Sequence, residues 1–391
     1  MRRAVAAKGE TVILQIVFWT SILMVAYPLV LYPLLISLIG TIRPRPVRRA
    51  AHRVPVSVLI PAFNEEDVIE ATVRNKLEQD YPRELLEIIV ISDASADRTD
   101  DIVRSFSRDG VRLLRNEDRA GKAEGLNRAV REARGEILVF SDANTLFARD
   151  GISRLVENFA DADVGYVTGS LGFLATQGVA GSGVDAYIRY ENLVRRAETR
   201  VHSIIGVNGG CDAMRRELYS DVPKDQISDF VLPLSVLMAG RRVVFDETAT
   251  ASEEANQDLA PEFNMRVRVA LRAMRGLCYV SDLLKPWRHP WAAFCIWSHK
   301  VLRYGAYVFM LVAMVSNIAL ALDGGIYLAL LAAHVLFYML ALGTIVQGPE
   351  AGLPKVFSVP AYMVTSNVAF AIASLRFLRG ESMATWRPRA G

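Results

Sequence analysis

With 391 residues, 52% of them hydrophobic and 22% charged, the chain is too apolar for a disordered protein and slightly too apolar for an ordinary soluble enzyme. The apolar excess is gathered into charge-free stretches separated by charged, patterned sequence, which excludes both a purely cytosolic protein and a bundle made only of membrane helices. The formal net charge of +3 is too small to argue for nucleic acid as a partner.

Taken from the N-terminus, the first charge-free stretch runs from Thr11 to Ile42, longer than the roughly 20 residues a membrane helix needs. It exceeds a signal-peptide core of about 7–15 residues and has no small-x-small cleavage site after it, so it predicts an anchor over 11–42. Pro28 and Pro33 predict a kink or break within it. Arg2, Arg3 and Lys8 precede it, and Arg43, Arg45, Arg48, Arg49 and Arg53 follow in a short Pro/Arg linker. Basic flanks stay in the cytoplasm, which puts the soluble part inside the cell; contact with anionic lipid is the alternative use of these arginines.

From 54 to 280 the pattern is that of a soluble domain. Val56–Ile60, Leu86–Ile91, Val111–Leu114 and Ile137–Phe140 read as buried strands, and Glu65–Gln79, Asp97–Phe106 and Gly121–Arg134 as the helices between them. This alternation predicts βαβ units, a mostly parallel sheet, and a ligand crevice at the carboxyl ends of the strands. Val184–Arg200 and Asp229–Ala239 read as further helices, Gly206–Gly210 as a glycine-rich turn, and Arg242–Asp246 as a strand. From Asp258 to Met274 arginines recur at helical spacing (Arg266, Arg268, Arg272). Residues 281–303 mix Trp287, Trp291 and Trp297 with basic residues, as in a helix lying at a membrane interface. Further charge-free stretches follow at Tyr304–Leu322, Gly324–Pro349 and Val356–Leu375, giving about three membrane helices over 304–378. His334 reads as a packed or interface histidine rather than a proton relay. One helix before the domain and three after it put the C-terminus outside, whereas Arg376, Arg379, Arg387 and Arg389 favour the inside. Cys211, Cys278 and Cys295 show no CxxC spacing, so no zinc knuckle or disulfide framework is expected.

Two predicted strands end in aspartate, at Ser92-Asp93-Ala94-Ser95 and Ser141-Asp142-Ala143-Asn144. Two carboxylates in one crevice suit Mg²⁺ or Mn²⁺ holding a substrate diphosphate, since these ions take oxygen ligands and share one or two carboxylates with phosphates; the plain alternative is that each caps a following helix. The first strand leads into Pro61-Ala62-Phe63-Asn64-Glu65 rather than GxGxxG. Neither GxxxxGK[ST] nor GxSxG occurs, which argues against dinucleotide, P-loop and α/β-hydrolase chemistry.

The runs PAFNEEDVI, ISDASADRT, RAGKAEGLN, FSDANT and ISDFVLPL, in that order and spacing, resemble glycosyltransferase family 2 across roughly Val54 to Tyr304, and SHKVLRY (Ser298–Tyr304) resembles its bacterial membrane-bound members. The resemblance implies an α/β GT-A fold, a nucleotide-sugar donor (UDP by family default), Mg²⁺ or Mn²⁺, and inversion at the anomeric carbon. By position, Pro61, Ala62 and Glu65 correspond to the nucleoside loop, with Glu65 near the ribose; Asp93 corresponds to the base-contacting aspartate, and Lys122 lies near the nucleotide. Asp142 and Asn144 match the metal-binding DxD motif, with asparagine in the last place removing one charge. Asp229 corresponds to the catalytic base, while a helix N-cap is its plain alternative. Gly209 and Asp212 fall in the acceptor-side segment. Where processive synthases carry QxxRW, this chain has Asn264-Met265-Arg266-Val267-Arg268-Val269-Ala270-Leu271-Arg272; Arg268 or Arg272 reaches the diphosphate or else faces lipid headgroups.

The resemblance therefore implies a multi-pass enzyme of the cytoplasmic membrane, its domain cytosolic, moving a sugar to a lipid, lipid-linked or exopolysaccharide acceptor. A processive polysaccharide synthase and a non-catalytic assembly or nucleotide-sensing module are the rival expectations.

Overall fold

The structure is a computed structural model; it describes residues 2–174, 179–254, 259–322, 324–347 and 355–381. Arg387 and Arg389 of the predicted basic tail lie outside the described residues. The chain begins with helix α1 (Arg2–Ala26), passes through a π-helical turn at Tyr27–Leu31 carrying Pro28, and continues as α2 (Tyr32–Ile42) with Pro33 in its first turn. The domain then runs β1 (Val56–Ala62), α3 (Ile69–Leu77), β2 (Leu86–Ser92), α4 (Thr99–Ser105), β3 (Val111–Arg115), α5 (Lys122–Glu132) and β4 (Ile137–Phe140). Next come β5 (Leu146–Phe147), α6 (Gly151–Glu157), β6 (Val164–Leu174), α7 (Val179–Val201), β7 (Asp212–Arg215), α8 (Ser228–Met238), β8 (Arg242–Glu254) and α9 (Leu259–Tyr279). The last part is α10 (Pro290–Ile296), α11 (Leu302–Tyr304), α12 (Ala306–Ala321), α13 (Ile326–Gln347) and α14 (Lys355–Leu378).

The eight strands form one sheet in the order β3-β2-β1-β4-β7-β6-β8-β5. The first half is parallel, in register Val58↔Ile88 and Val58↔Val139, so β1, β2 and β4 release their carboxyl ends on one edge. These strands are apolar throughout because helices cover both faces, one core holding Val58, Ile60, Val90 and Val139 and the other Leu59, Ile89, Ile91 and Leu138. Gly135 opens β4 where no side chain fits: a Cβ there would stand 2.3 Å from the Ser57 nitrogen. The second half departs from the parallel expectation, since β7 runs antiparallel to β4 and β6. Phe140 therefore pairs with Asp212, and the start of β7 is delivered to the same edge.

Predicted helix starts move inward where backbone groups are used for the crevice. The helix expected from Glu65 begins at Ile69, because the Glu65 and Glu66 N–H groups donate to Thr99 Oγ1 (2.8 Å) and Asp97 Oδ2 (3.0 Å). The one expected from Asp97 begins at Thr99, whose N–H is bound by Asp97 Oδ1 at 3.0 Å.

Among the described residues three helices are long and apolar enough to cross a membrane, within Gly9–Ile42, Ile326–Gln347 and Val359–Leu378; the legs Pro290–Tyr304 and Ala306–Ala321, bent by 58°, make a fourth if counted as one span. The Trp-rich segment expected at the interface turns its apolar side into the domain, burying Leu283, Cys295 and Ile296 and leaving Trp287 78% exposed. The linker arginines are partly committed to the domain, Arg45 to Asp163 (2.7 Å) and Arg49 to Asp246 (3.0 Å). Arg242, only 2% exposed, ties linker, α7 and sheet together by donating to the carbonyls of Arg45 (3.0 Å), Thr199 (2.9 Å) and His202 (2.8 Å). Arg242→Met strands these three acceptors and is expected to destabilise the domain by roughly 2–4 kcal/mol, read as a lowered denaturation midpoint in detergent; an unchanged midpoint would remove Arg242 from this role.

Candidate active site

The crevice is assembled from loops that hold each other. Asn64 and Ala94, just past β1 and β2, both adopt left-handed backbone (φ 53° and 61°). The Asn64 N–H donates to Ser95 Oγ (3.2 Å), and its side-chain oxygen accepts from the Ala96 N–H (2.9 Å). Pro61 and Ala62 end β1 beside them, and the Ala62 carbonyl accepts the Asp93 N–H at 2.9 Å. The Asp93 carboxylate is turned to the next loop, accepting from Asn116 Nδ2 (3.0 Å) and the N–H groups of Ala120 (2.8 Å) and Gly121 (2.9 Å). Those bonds fix the turn that opens α5, where Lys122 is the first residue. Arg119, in the same loop, lies 3.9 Å over the Phe63 ring.

Lys122 is the centre of the site. Its Nζ stands 2.7 Å from Asp142 Oδ1 and 3.4 Å from Asp229 Oδ2, so the carboxylate that follows β4 and the first-turn aspartate of α8 meet on one ammonium. Burial alone would lower the Lys122 pKa, but Asp142 and Asp229 outweigh it and hold the group protonated, above the ordinary lysine range. Asp229 Oδ1 also accepts from Ser228 Oγ (3.0 Å), which orients the carboxylate. Gly209 and Gly210 adopt φ of 81° and 76°, and their missing side chains leave room for the acids: a Cβ on Gly209 would lie 2.6 Å from Asp229 Oδ2. One on Gly210 would lie 2.9 Å from Glu253 Oε1 and 3.6 Å from Asp142 Oδ2.

Asp212 sits beneath this cluster, fully buried. Burial and the charge of Asp229 push its carboxyl up to about 7, with Thr168 opposing them. Glu253, from the far end of β8, joins the site through a 2.5 Å bond from Thr145 Oγ1. Lys76 supports the 142–145 turn from below, giving Nζ–H to the Thr145 carbonyl (2.7 Å) over the Phe147 ring, and burial pushes its pKa down to about 7. No sequence motif marks Glu253 or Lys76; each is placed by a strand or helix arriving from a distant part of the chain.

The donor set fits a hard divalent cation in one particular way. Among the described residues no three acidic, histidine or cysteine side chains are arranged so that they alone could hold a metal ion. Asp142 with Asn144, and Glu253 beside Gly210, offer oxygen only, as suits an ion that completes its shell with substrate phosphates and water.

The arginines of α9 divide by role. Arg266 turns away to Ser366 Oγ (2.5 Å) and the Tyr362 ring of α14, and Arg275 donates to the Gly380 and Glu381 carbonyls at that helix's end. Arg272 faces the site, giving Nη2–H to the Gln226 carbonyl (2.6 Å); burial and Arg268 lower its pKa against the pull of Asp229. Thus Lys122, Asp142, Asp212, Asp229 and Gly209 are brought together, with Arg272 beside them. Pro61, Ala62, Glu65 and Asp93 shape the adjoining loops.

Residues 57–222 match the family model described as "Glycosyl transferase family 2". Over 95% of its length the fold is similar to the mannosyltransferase PcManGT from Pyrobaculum calidifontis, determined in complex with GDP-Man and Mn²⁺ (TM-score 0.70, 24% identity, 98% of that chain covered). Among curated proteins it is similar to glycosyltransferase AglD of Haloferax volcanii, 35% identical over 131 residues (32% of this chain, 21% of that one). It is also similar to the poly-β-1,6-N-acetyl-D-glucosamine synthase of Staphylococcus aureus, 25% identical over 224 residues (55% of this chain, 53% of that one). The chain therefore spans between about a fifth and about half of the length of these curated relatives. The matched residues run from β1 past β7, so this stretch is a domain similar to glycosyltransferase family 2, and the GT-A architecture continues around it.

Proposed function

We propose that this protein transfers a sugar from a nucleoside-diphosphate sugar to an acceptor hydroxyl at the cytosolic face of a membrane, with inversion at the anomeric carbon. The observation that carries the reading is the Lys122 ammonium between Asp142 and Asp229, which joins a donor-diphosphate side to a proton-accepting side. Asp229 takes the proton of the acceptor hydroxyl as its oxygen attacks C1. The bond from C1 to the diphosphate oxygen breaks on the opposite face, and the nucleoside diphosphate leaves with the electron pair. Lys122 is placed to turn from Asp229 to the departing diphosphate, releasing the base as it stabilises the leaving group. Arg272 adds positive field from the α9 side. A divalent ion on Asp142, Asn144 and Glu253 would neutralise the diphosphate as its charge grows. The GDP-Man and Mn²⁺ held by the mannosyltransferase support both the donor class and the ion. The apolar helices support a membrane location, and their packing against the domain supports an acceptor carried by lipid.

Asp229→Asn is expected to lower transfer by about 10³-fold, since a positioned base supplies about 10²–10⁴, while nucleotide-sugar binding measured by calorimetry is retained. Loss of donor binding with retained turnover would reverse the assignment. Asn144→Asp restores a second charge to the ion site and should tighten Mn²⁺ binding, followed by Mn²⁺ electron paramagnetic resonance without substrate; unchanged affinity would take residue 144 out of the ligand set. Asp212 binds its proton more tightly folded than unfolded, so it costs stability as pH rises from about 4 to about 7. Asp212→Asn should flatten that decline, seen by comparing melting temperatures of the two proteins across this window; identical slopes would contradict it.

A further inference from the structure

Helix α3 carries polar side chains where a core-facing helix ordinarily carries apolar ones. Thr72, Asn75, Lys76 and Gln79, the last just past its end, fall at the i, i+3, i+4, i+7 spacing of a single helix face. Thr72 and Lys76 are fully buried, and Gln79 is buried beside them. Their bonds follow one segment of chain in order. Thr72 Oγ1 donates to the Ala143 carbonyl (2.6 Å) and Lys76 Nζ to the Thr145 carbonyl (2.7 Å). Asn75 brackets Phe147, giving Nδ2–H to its carbonyl (2.8 Å) and accepting its N–H on Oδ1 (2.8 Å). Gln79 Oε1 accepts the Ile152 N–H at 3.1 Å. Two of these bonds, from Thr72 and Lys76, end on the turn that follows Asp142.

That turn connects the oxygens assigned to the divalent ion. Thr145 gives its N–H to the Asp142 carbonyl (3.2 Å) and its hydroxyl to Glu253 Oε1 (2.5 Å), and Asn144 precedes it in sequence. The antiparallel pairing Leu146↔Ser252 brings Thr145 across from Glu253. Asp142, Asn144 and Glu253 therefore all hang on Thr145, whose carbonyl is held by Lys76. Burying an amine and a hydroxyl costs free energy that an apolar group of similar size would not, whereas their hydrogen bonds fix a backbone in a direction that apolar packing does not. We infer that Thr72 and Lys76 are positioning residues for the ion, holding the 142–145 backbone so that Asp142, Asn144 and Glu253 keep the spacing that a cation requires. Among the described residues the hydrogen bonds of Lys76 end on neutral oxygens, the Thr145 carbonyl and Asn75 Oδ1 (2.9 Å), so it braces the turn without taking a carboxylate from the ion. Hydrogen-bond partners that orient metal ligands are worth about 10–100-fold in metal affinity. This inference deepens the proposed transfer and rests on its placing of the ion at Asp142, Asn144 and Glu253.

The test uses the full chain in detergent and follows Mn²⁺ binding by electron paramagnetic resonance with UDP or GDP present. Thr72→Val, which keeps the shape and removes the hydroxyl, and Lys76→Met are each expected to weaken Mn²⁺ binding by about 10–100-fold. Excess Mn²⁺ should restore nucleotide binding to both. Gln79→Met is the control: it removes a buried polar group from the same face, but the bond it loses ends on Ile152, beyond the turn, so its Mn²⁺ affinity should match the parent's. Unchanged affinity in Thr72→Val or in Lys76→Met overturns the role for that residue, and an equal loss in Gln79→Met overturns it for both. Thr72→Val decides the matter should Lys76→Met not fold. A parent protein that binds Mn²⁺ with neither nucleotide sinks the ion reading of the site and this inference with it. A parent that binds Mn²⁺ no better than Thr72→Val and Lys76→Met do sinks only the inference.

Discussion

The site depends on one ammonium ion between two carboxylates. Asp142 leaves the end of β4 and Asp229 stands in the first turn of α8, so they belong to separate parts of the chain and would repel each other in a partly buried crevice. Lys122 removes that repulsion. It holds its place because Asp93, fastened to the Ala120 and Gly121 N–H groups, fixes the turn from which α5 starts. One cation thus holds the two acids near each other.

A second set of charges ties this crevice to the membrane part. His299 lies between Glu191 and Glu198 of α7, Tyr32 reaches Glu198 from α2, and Tyr27 bonds Ser298 at 3.0 Å. Buried polar contacts of this kind have directional requirements that apolar packing lacks, so they set the orientation of the helices on the domain. Arg195, also on α7, holds Gly206 and Asn208, in the loop that runs on towards Asp229. On the opposite side α9 spans from Arg272 at the site to Arg266 and Arg275 on α14. The crevice is therefore braced from both sides by elements that also contact the apolar helices.

How much was legible follows from whether a signal is local. The parallel half was readable because β1, β2 and β4 are short apolar runs followed by turn residues. Asp142 and Asp229 stood out as acids immediately after a strand and at the start of a helix. β6 and β7 were missed: Gly165, Gly169 and Gly172 interrupt the first, and the second is only four residues long. Glu253 was missed with them, since it reaches Thr145 only because β8 runs parallel to β6 and continues past it. The Trp-rich segment at 281–303 carries the composition of an interface helix; that one of its faces packs on the domain is a contact that composition does not assign.

By itself the sequence determined the residue types available for chemistry, the alternation that produces the parallel half-sheet, and the lengths of apolar helix, all properties of neighbouring residues. Tertiary structure alone decided that the Asp93 carboxylate braces a loop, that Lys122 joins Asp142 to Asp229, and that Thr72 and Lys76 reach the turn after Asp142. Those are distances of a few ångströms between residues tens to hundreds of positions apart, fixed by strand order and helix packing rather than by any pattern along the chain.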